Sequence, residues 1–266
     1  MRPKKSLGQN FLRNERIIDR IVSSLSISPG DVVVEIGPGR GALTEKLVAA
    51  GVRVIAIEID RELVPVLRTQ FHFDTNFSVI EGDILDFDLT ELLNGIEPSK
   101  VKIVGNLPYY ISTPIIQRLI DQRHSFSVVT LMLQREVAQR ITAKPGNSQR
   151  GFLTVMVENA FQTENLFDVP PDSFFPAPKV WSAVVRMTPT VSDIEDIFIF
   201  RRLVSSSFAQ KRKTILNNLK VILPDAAEIL ERSNIEPNRR AETLTHAEWK
   251  KLAGNAVETT PPASDE

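Results

Sequence analysis

The chain has 266 residues, 42% hydrophobic and 24% charged, with a net charge of −1. That is enough for one large domain, or one domain plus a small one, with a core that needs no covalent staples. It has no cysteine and only His72, His124 and His246 as histidines, far apart in sequence. Disulfides, thiolate metal sites and cysteine nucleophiles are therefore excluded, and no metal site built from protein ligands is expected. The N-terminal MRPKKSLGQNFL is basic with no apolar run after it, and no stretch of about 18 apolar residues occurs. A cytoplasmic protein is the expectation.

The predicted elements alternate. DVVVEIG reads as a buried strand opening into a glycine turn, and GALTEKLVAAG as a helix ended by Gly51. VRVIAIEID is a second strand, followed by a helix from about Arg61 to Phe71. FSVIEGD is a third strand and VKIVGN a fourth, with a helix from about Thr113 to Gln122 after it. SVVTLML is a fifth strand, leading into a helix at REVAQRITA. Strands apolar on both faces between helices predict a parallel sheet covered on each side. KPGNSQRG reads as a loop and FLTVMVENAF as a further helix. Extended segments near 162–168 and 180–187 then close a seven-stranded sheet with a hairpin.

TPTVSD, near 188–193, is the expected boundary. The predicted organisation is a catalytic domain over 1–188, a helical domain over 189–254 and a disordered tail over 255–266. Within the helical part, Thr245 and Glu248 are spaced as a capping box. Charge is uneven. Arg2, Lys4 and Lys5 open the chain, and the segment 201–220 carries Arg201, Arg202, Lys211, Arg212, Lys213 and Lys220 with no acid. Such patches suit phosphate contact, although either segment alone is as readily a solvated helix face.

The chemistry is concentrated in the turns after the strands. Glu35-Ile36-Gly37-Pro38-Gly39-Arg40-Gly41 has the spacing G-x-G-x-G, not the dinucleotide G-x-G-x-x-G. Glycine allows a sharp turn and close approach of backbone to ligand. An acid at the entrance suits a ligand with a cationic amino-acid end and no phosphate, which describes S-adenosylmethionine. Glu58, ending the second strand, can accept from both ribose hydroxyls. Asp83, after the third, can accept from an adenine amino group. Any one of these is a weak signal, but three at the carboxyl ends of successive strands are not.

The fourth strand ends in Asn106-Leu107-Pro108-Tyr109. The exocyclic amine of adenine is a poor nucleophile, because its lone pair is delocalised into the ring. The side-chain oxygen of Asn106 and the main-chain carbonyl of Leu107 can each accept one of its hydrogens and push the nitrogen towards a tetrahedral geometry. Pro108 fixes the turn without a competing N–H, and Tyr109 offers a face on which an unstacked base can rest. No strong base is needed, since positioning and a good leaving group do much of the work. Phe174, in Phe174-Phe175-Pro176-Ala177-Pro178, could cover the other face of the base, although a Phe-Pro cluster is more often packing.

With these motifs in place, the chain resembles the KsgA (RsmA) family of small-subunit rRNA adenine dimethyltransferases. The resemblance rests on Gln9-Asn10-Phe11-Leu12, EIGPGRGALT, Glu58, Gly82-Asp83, NLPYYIST, LQREVAQR, the F-x-P-x-P-K-V loop at 174–180 and FAQKRKTILNNL, in the family's order to about residue 252. It implies a seven-stranded, Rossmann-like class I methyltransferase domain with a small all-helical C-terminal domain. It implies dimethylation of two adjacent adenosines in the 3′-terminal hairpin loop of 16S rRNA; an immature small subunit as the partner and a monomeric enzyme are separate expectations. Carried over, cofactor contacts fall on Asn10, Leu12, Gly37, Glu58, Asp83 and Asn106, and the base pocket on Asn106, Leu107, Tyr109 and Phe174. RNA contacts fall on Lys211, Arg212 and Lys213, in what reads as a basic helix at 208–219.

Trp181, Arg150 and Lys211 depart from that pattern, which usually has Asp, Tyr and Arg there. Lys for Arg keeps attraction to phosphate but loses the bidentate fork. Three other readings stay open. An Erm-type enzyme, acting on one adenine of large-subunit rRNA, shares the fold and a similar turn. A DNA adenine methyltransferase shares the chemistry but usually carries D-P-P-Y or N-P-P-Y and a target-recognition domain. An assembly factor would need binding without catalysis.

Overall fold

The structure is a computed structural model, and it describes residues 3–4 and 7–257. Arg2, Lys5 and the tail from residue 258 onwards lie outside the described residues. In chain order the elements are β1 (Phe11–Leu12), α1 (Glu15–Ser24), β2 (Val32–Ile36), α2 (Ala42–Ala49), β3 (Arg53–Glu58), α3 (Leu63–Gln70), β4 (Phe77–Glu81) and α4 (Leu89–Leu92). Then come β5 (Val101–Asn106), α5 (Ser112–Asp121), β6 (Val128–Gln134), α6 (Arg135–Ile141), α7 (Phe152–Ala160), β7 (Phe161–Val169), β8 (Phe174–Phe175) and β9 (Ser182–Pro189). The rest are helices α8 (Ile197–Ser207), α9 (Ile215–Leu219), α10 (Ala226–Arg232) and α11 (His246–Val257).

The chain forms two compact units. The first comprises Met1–Gln139 and Phe161–Pro189, the second Arg140–Ala160 and Thr190–Glu266. Residues 140–160, which precede the sequence boundary near 188–193, thus group with the C-terminal helices.

In the first unit a seven-stranded sheet runs β4-β3-β2-β5-β6-β9-β7. β2, β3, β4, β5 and β6 are parallel, while β9 is antiparallel to both β6 and β7. β2 is all apolar but for Glu35, and every residue of it is buried. Such a strand is stable only with helices over both faces. On one of those faces α1 contributes Ile17, Ile18 and Ile21, and α2 contributes Leu43 and Leu47, to a core with Val33, Val54 and Val104. Asn14 caps α1, accepting from the Ile17 amide at 3.3 Å. α1 has no counterpart among the predicted elements. The strand order reverses at β2, where β3 lies to one side and β5 to the other. That reversal opens a crevice at the carboxyl ends of the strands.

A second, two-stranded sheet also has no counterpart among the predicted elements. β1 pairs antiparallel with β8, with Phe11 opposite Phe175 and Leu12 opposite Phe174. It ties the N-terminal segment to the Phe-Pro loop.

The second unit is helical. Trp249 is fully buried in it and packs 6.0 Å from Phe208, centroid to centroid. The capping box forms: the Thr245 hydroxyl accepts from the Glu248 amide at 3.2 Å, and Glu248 accepts from the Thr245 amide at 2.7 Å. Arg150 is buried here, donating to the carbonyls of Ala143 (3.0 Å) and Leu244 (3.2 Å) and to the Glu158 carboxylate. Its departure from the family pattern therefore has a packing role. α11 extends through Val257, so 255–257 belong to a helix, not to a disordered tail.

The predicted basic helix at 208–219 is helical only over Ile215–Leu219, and Lys211, Arg212 and Lys213 precede it. Residues 208–214 form a turn between α8 and α9. Thr214 caps α9, accepting from the Asn217 amide at 3.3 Å, so the helix can start only after the cluster. Asn218 holds the turn by donating to the carbonyls of Ser207 (2.8 Å) and Gln210 (3.2 Å). No described helix is long and apolar enough to cross a membrane.

Candidate active site

A cavity opens at the carboxyl ends of β2, β3, β4 and β5. Its lining includes Asn10, Leu12, Gly37, Glu58, Asp83, Asn106, Leu107, Pro108 and Tyr109. The structure thus brings together every predicted cofactor residue and the whole N-L-P-Y turn. Phe174 is not among the lining residues. It is buried in the core with Leu12, Val169 and Val184, while Phe175 is exposed.

The glycine turn is built as the spacing suggests. Gly37 has φ +67° and donates its amide to the Ile57 carbonyl at 2.9 Å. Gly39 has φ +60°, and a Cβ there would meet the Phe11 ring at 3.1 Å. A side chain at either position would be strained, and at Gly39 it would also press on β1.

The turn and the second-strand acid are one unit. The Gly39 amide donates to Glu58 Oε2 at 2.9 Å, and the Asp60 amide donates to Oε1 at 2.9 Å. Backbone amides on both oxygens therefore fix the Glu58 carboxylate at the end of β3. Burial pushes its pKa above the ordinary value, against the pull of those amides. Asp83 accepts from the Leu85 amide at 3.0 Å, which fixes its carboxylate at the end of β4.

Glu35 lines the cavity and is almost fully buried. It accepts from the Thr44 hydroxyl at 2.6 Å. Burial raises its pKa to about 7, the Thr44 bond opposes this, and the Glu58 charge adds to it. A buried carboxyl held near neutrality is a ready partner for a cation.

The N-terminal segment reaches the same cavity through contacts that sequence reasoning missed. Lys4 donates to Asp60 at 2.7 Å and lies 3.0 Å from Glu62, and Gln9 donates to Asp60 at 2.7 Å. Lys4 thus pairs with two carboxylates. Only the pairing of Q-N-F-L with a strand-end acid could have signalled this, and the two are about fifty positions apart.

Asn106 ends β5. Its Nδ2 donates to the Asn10 carbonyl at 3.0 Å. A carbonyl can only accept, so this bond fixes the amide's orientation and leaves Oδ1 as its acceptor. Leu107 is buried and anchored by its amide to the Met132 carbonyl at 3.2 Å. Pro108 accepts from the Ile111 amide at 3.2 Å, closing the turn. Tyr109 shares a hydrogen bond with the Ser182 hydroxyl at 2.7 Å. Burial pushes its pKa up, so it stays neutral.

Lys211, Arg212 and Lys213 are exposed in the turn of the helical unit, not in the unit that carries the cavity.

The donor set fits S-adenosylmethionine on chemical grounds: a carboxylate after β3, another after β4, a buried acid suited to an amine, and a glycine turn open to backbone approach. This sheet and site define a class I methyltransferase that uses S-adenosylmethionine. The sequence matches the family described as "Ribosomal RNA adenine dimethylase" over residues 1–256. The chain belongs to that family. "Ribosomal RNA small subunit methyltransferase A" of Hahella chejuensis is 43% identical over 253 residues, covering 94% of this chain and 91% of the relative. The protein of that name from Geobacter sulfurreducens is 42% identical over 260 residues, covering 95% and 94%. Among solved structures, a dimethyladenosine transferase from Plasmodium falciparum superposes with a TM-score of 0.80 at 28% identity, covering 93% of this chain and 98% of that one. The 23S rRNA methyltransferase ErmE superposes with a TM-score of 0.73 at 26% identity, covering 92% and 99%.

Proposed function

We propose that the protein dimethylates N6 of two adjacent adenosines in the 3′-terminal hairpin loop of 16S rRNA. On this reading it acts in the cytoplasm, as a monomer, on immature small subunits. The observation that carries the adenine chemistry is the Asn106–Asn10 bond, which commits the amide nitrogen and leaves Oδ1 to accept from the target amine. Identity above 40% over nearly the full length to small-subunit methyltransferases favours that subunit over the one named for ErmE.

S-adenosylmethionine, when bound, supplies a methyl group on a sulfonium. Glu58 would hold the ribose hydroxyls, Asp83 the adenine amine and Glu35 the cationic amino-acid end, with Asn10, Leu12 and Gly37 shaping the walls. Asn106 Oδ1 and the Leu107 carbonyl would accept from the target N6, localising its lone pair. Pro108 holds that turn rigid, and Tyr109, braced by Ser182, gives the base a face to stack on. Phe174 contributes through its pairing with Leu12. The helical domain would carry Lys211, Arg212 and Lys213 to the phosphates.

The direct test is methyl transfer from labelled S-adenosylmethionine to small and large subunits that lack their own dimethyladenosines. Label on the small subunit is the expected result, and label on the large subunit alone would move the protein to the Erm-type activity. Glu58→Ala should abolish transfer, since the ribose anchor is lost, while particle binding persists. Loss of particle binding as well would contradict separate catalytic and binding surfaces.

Replacing Arg212 or Lys213 with alanine should weaken RNA binding and reduce its salt slope by about one charge. An unchanged slope in a titration across salt concentrations would rule out a phosphate contact for that residue.

A further inference from the structure

We propose that Trp181 is a stacking platform for a nucleotide of the substrate RNA next to the target adenosine. The inference rests on the proposed RNA substrate and adds a residue to it. Trp181 is 44% exposed, yet it is not loosely held. Its carbonyl accepts from the Arg135 amide at 2.9 Å, which ties it to the first residue of α6. The Arg135 guanidinium lies over its ring, 5.6 Å from the centroid. Its chain neighbour Ser182 is fully buried and carries the hydroxyl that holds Tyr109. A rigid indole therefore sits one residue from the group that positions the catalytic turn's aromatic ring.

The surroundings suit a base. The same loop presents Phe175, 45% exposed, with the Arg13 guanidinium 4.1 Å from its ring centroid. Lys179 is also exposed there. Unstacked bases of single-stranded RNA bind by stacking on aromatic rings and guanidinium planes, and every base has a π-face. An adenosine drawn into the cavity leaves its neighbour without a stacking partner, and we assign that role to the exposed indole one residue before the Ser182 that holds Tyr109. Arg135 lies 3.6 Å from the Asp168 carboxylate, so its charge is already balanced. The contact at Trp181 is then one of stacking and not of ion release.

That distinction sets the test. On small subunits, Trp181→Ala should raise KM for RNA about tenfold and leave kcat within about twofold, while Trp181→Phe recovers most of the loss. The salt slope of binding should not change, in contrast to substitutions at Arg212 or Lys213. Unaltered cofactor binding by Trp181→Ala would show that its fold is intact. A second measurement uses fluorescence. The chain has two tryptophans, and Trp249 is fully buried. A short single-stranded oligoadenylate should quench the wild-type emission and leave that of Trp181→Phe unchanged. A wild-type KM in Trp181→Ala, or no quenching of the wild type, overturns the proposal. Quenching that depends on Trp181, in a protein that fails to methylate small subunits, supports the platform and counts against the proposed RNA target.

Discussion

Asn106→Ala is expected to cut the rate of methyl transfer by about 10²–10³-fold, the range seen when one positioned polar contact to a reacting group is removed. KM for RNA should change little. The substitution removes the Oδ1 acceptor for the target amine and the Nδ2 bond to the Asn10 carbonyl. Asn106→Asp separates the two effects. A carboxylate keeps an acceptor but cannot donate to Asn10, so it sets two oxygens against each other and should loosen the N-terminal segment. Both variants lose the Nδ2 bond to Asn10 and should bind cofactor more weakly, the aspartate more so, whereas only the alanine variant loses the acceptor and with it most of the rate. Single-turnover transfer and cofactor titration on both variants check this. An alanine variant with wild-type turnover would remove Asn106 from the chemistry.

Glu35→Gln should make the free protein more stable at pH 8 and its cofactor binding weaker. The folded-state pKa of Glu35 is about 7, raised mainly by burial from 4.5. Between those values the folded chain keeps a proton that the unfolded chain has released, so stability falls as pH rises through that window. The full loss is about 3 kcal/mol, from ~1.4 kcal/mol for each pH unit between the two values. Glu58, also raised by burial, gives a slope of the same sign. The glutamine side chain of the variant stays neutral at every pH and can still accept from Thr44. The variant should recover most of that loss above pH 7 and show a flatter slope. Binding of a cationic ligand runs the other way, because it favours the ionised acid. Wild-type affinity should rise as pH passes 7, and the variant's should not. Denaturant titrations at pH 5 and 8 check the stability. His246, held below its ordinary pKa by burial, gives a slope of the opposite sign, so the difference between the two proteins is the reading: the same pH dependence in wild type and Glu35→Gln would contradict the buried, raised carboxyl.

The parts of the site legible in sequence are those whose residue types have few other uses. A glycine turn after an apolar strand, acids at the next two strand ends and an N-L-P-Y turn each constrain the local backbone, and all fall on one edge of the sheet. What stays hidden depends on long-range contacts. Gln9 and Lys4 reach Asp60, and Asn10 reaches Asn106, across spans that no periodicity reports. The pairing of β1 with β8 is of the same kind, and it draws Phe174 into the core instead of the cavity. The basic segment reads as a helix because its charge suits an exposed helical face, whereas the capping hydroxyl of Thr214 starts α9 only after Lys213. Arg150 falls in a segment that reads as a loop, and nothing in that segment signals that its side chain is buried against three partners within the helical unit.

The most direct measurement is nuclease mapping and mass analysis of small-subunit rRNA after exhaustive methylation. Two adjacent N6,N6-dimethyladenosines in the 3′-terminal hairpin loop, and no other product, are expected. A single modified adenine, or methyl groups on another base or ring position, would contradict the proposed activity.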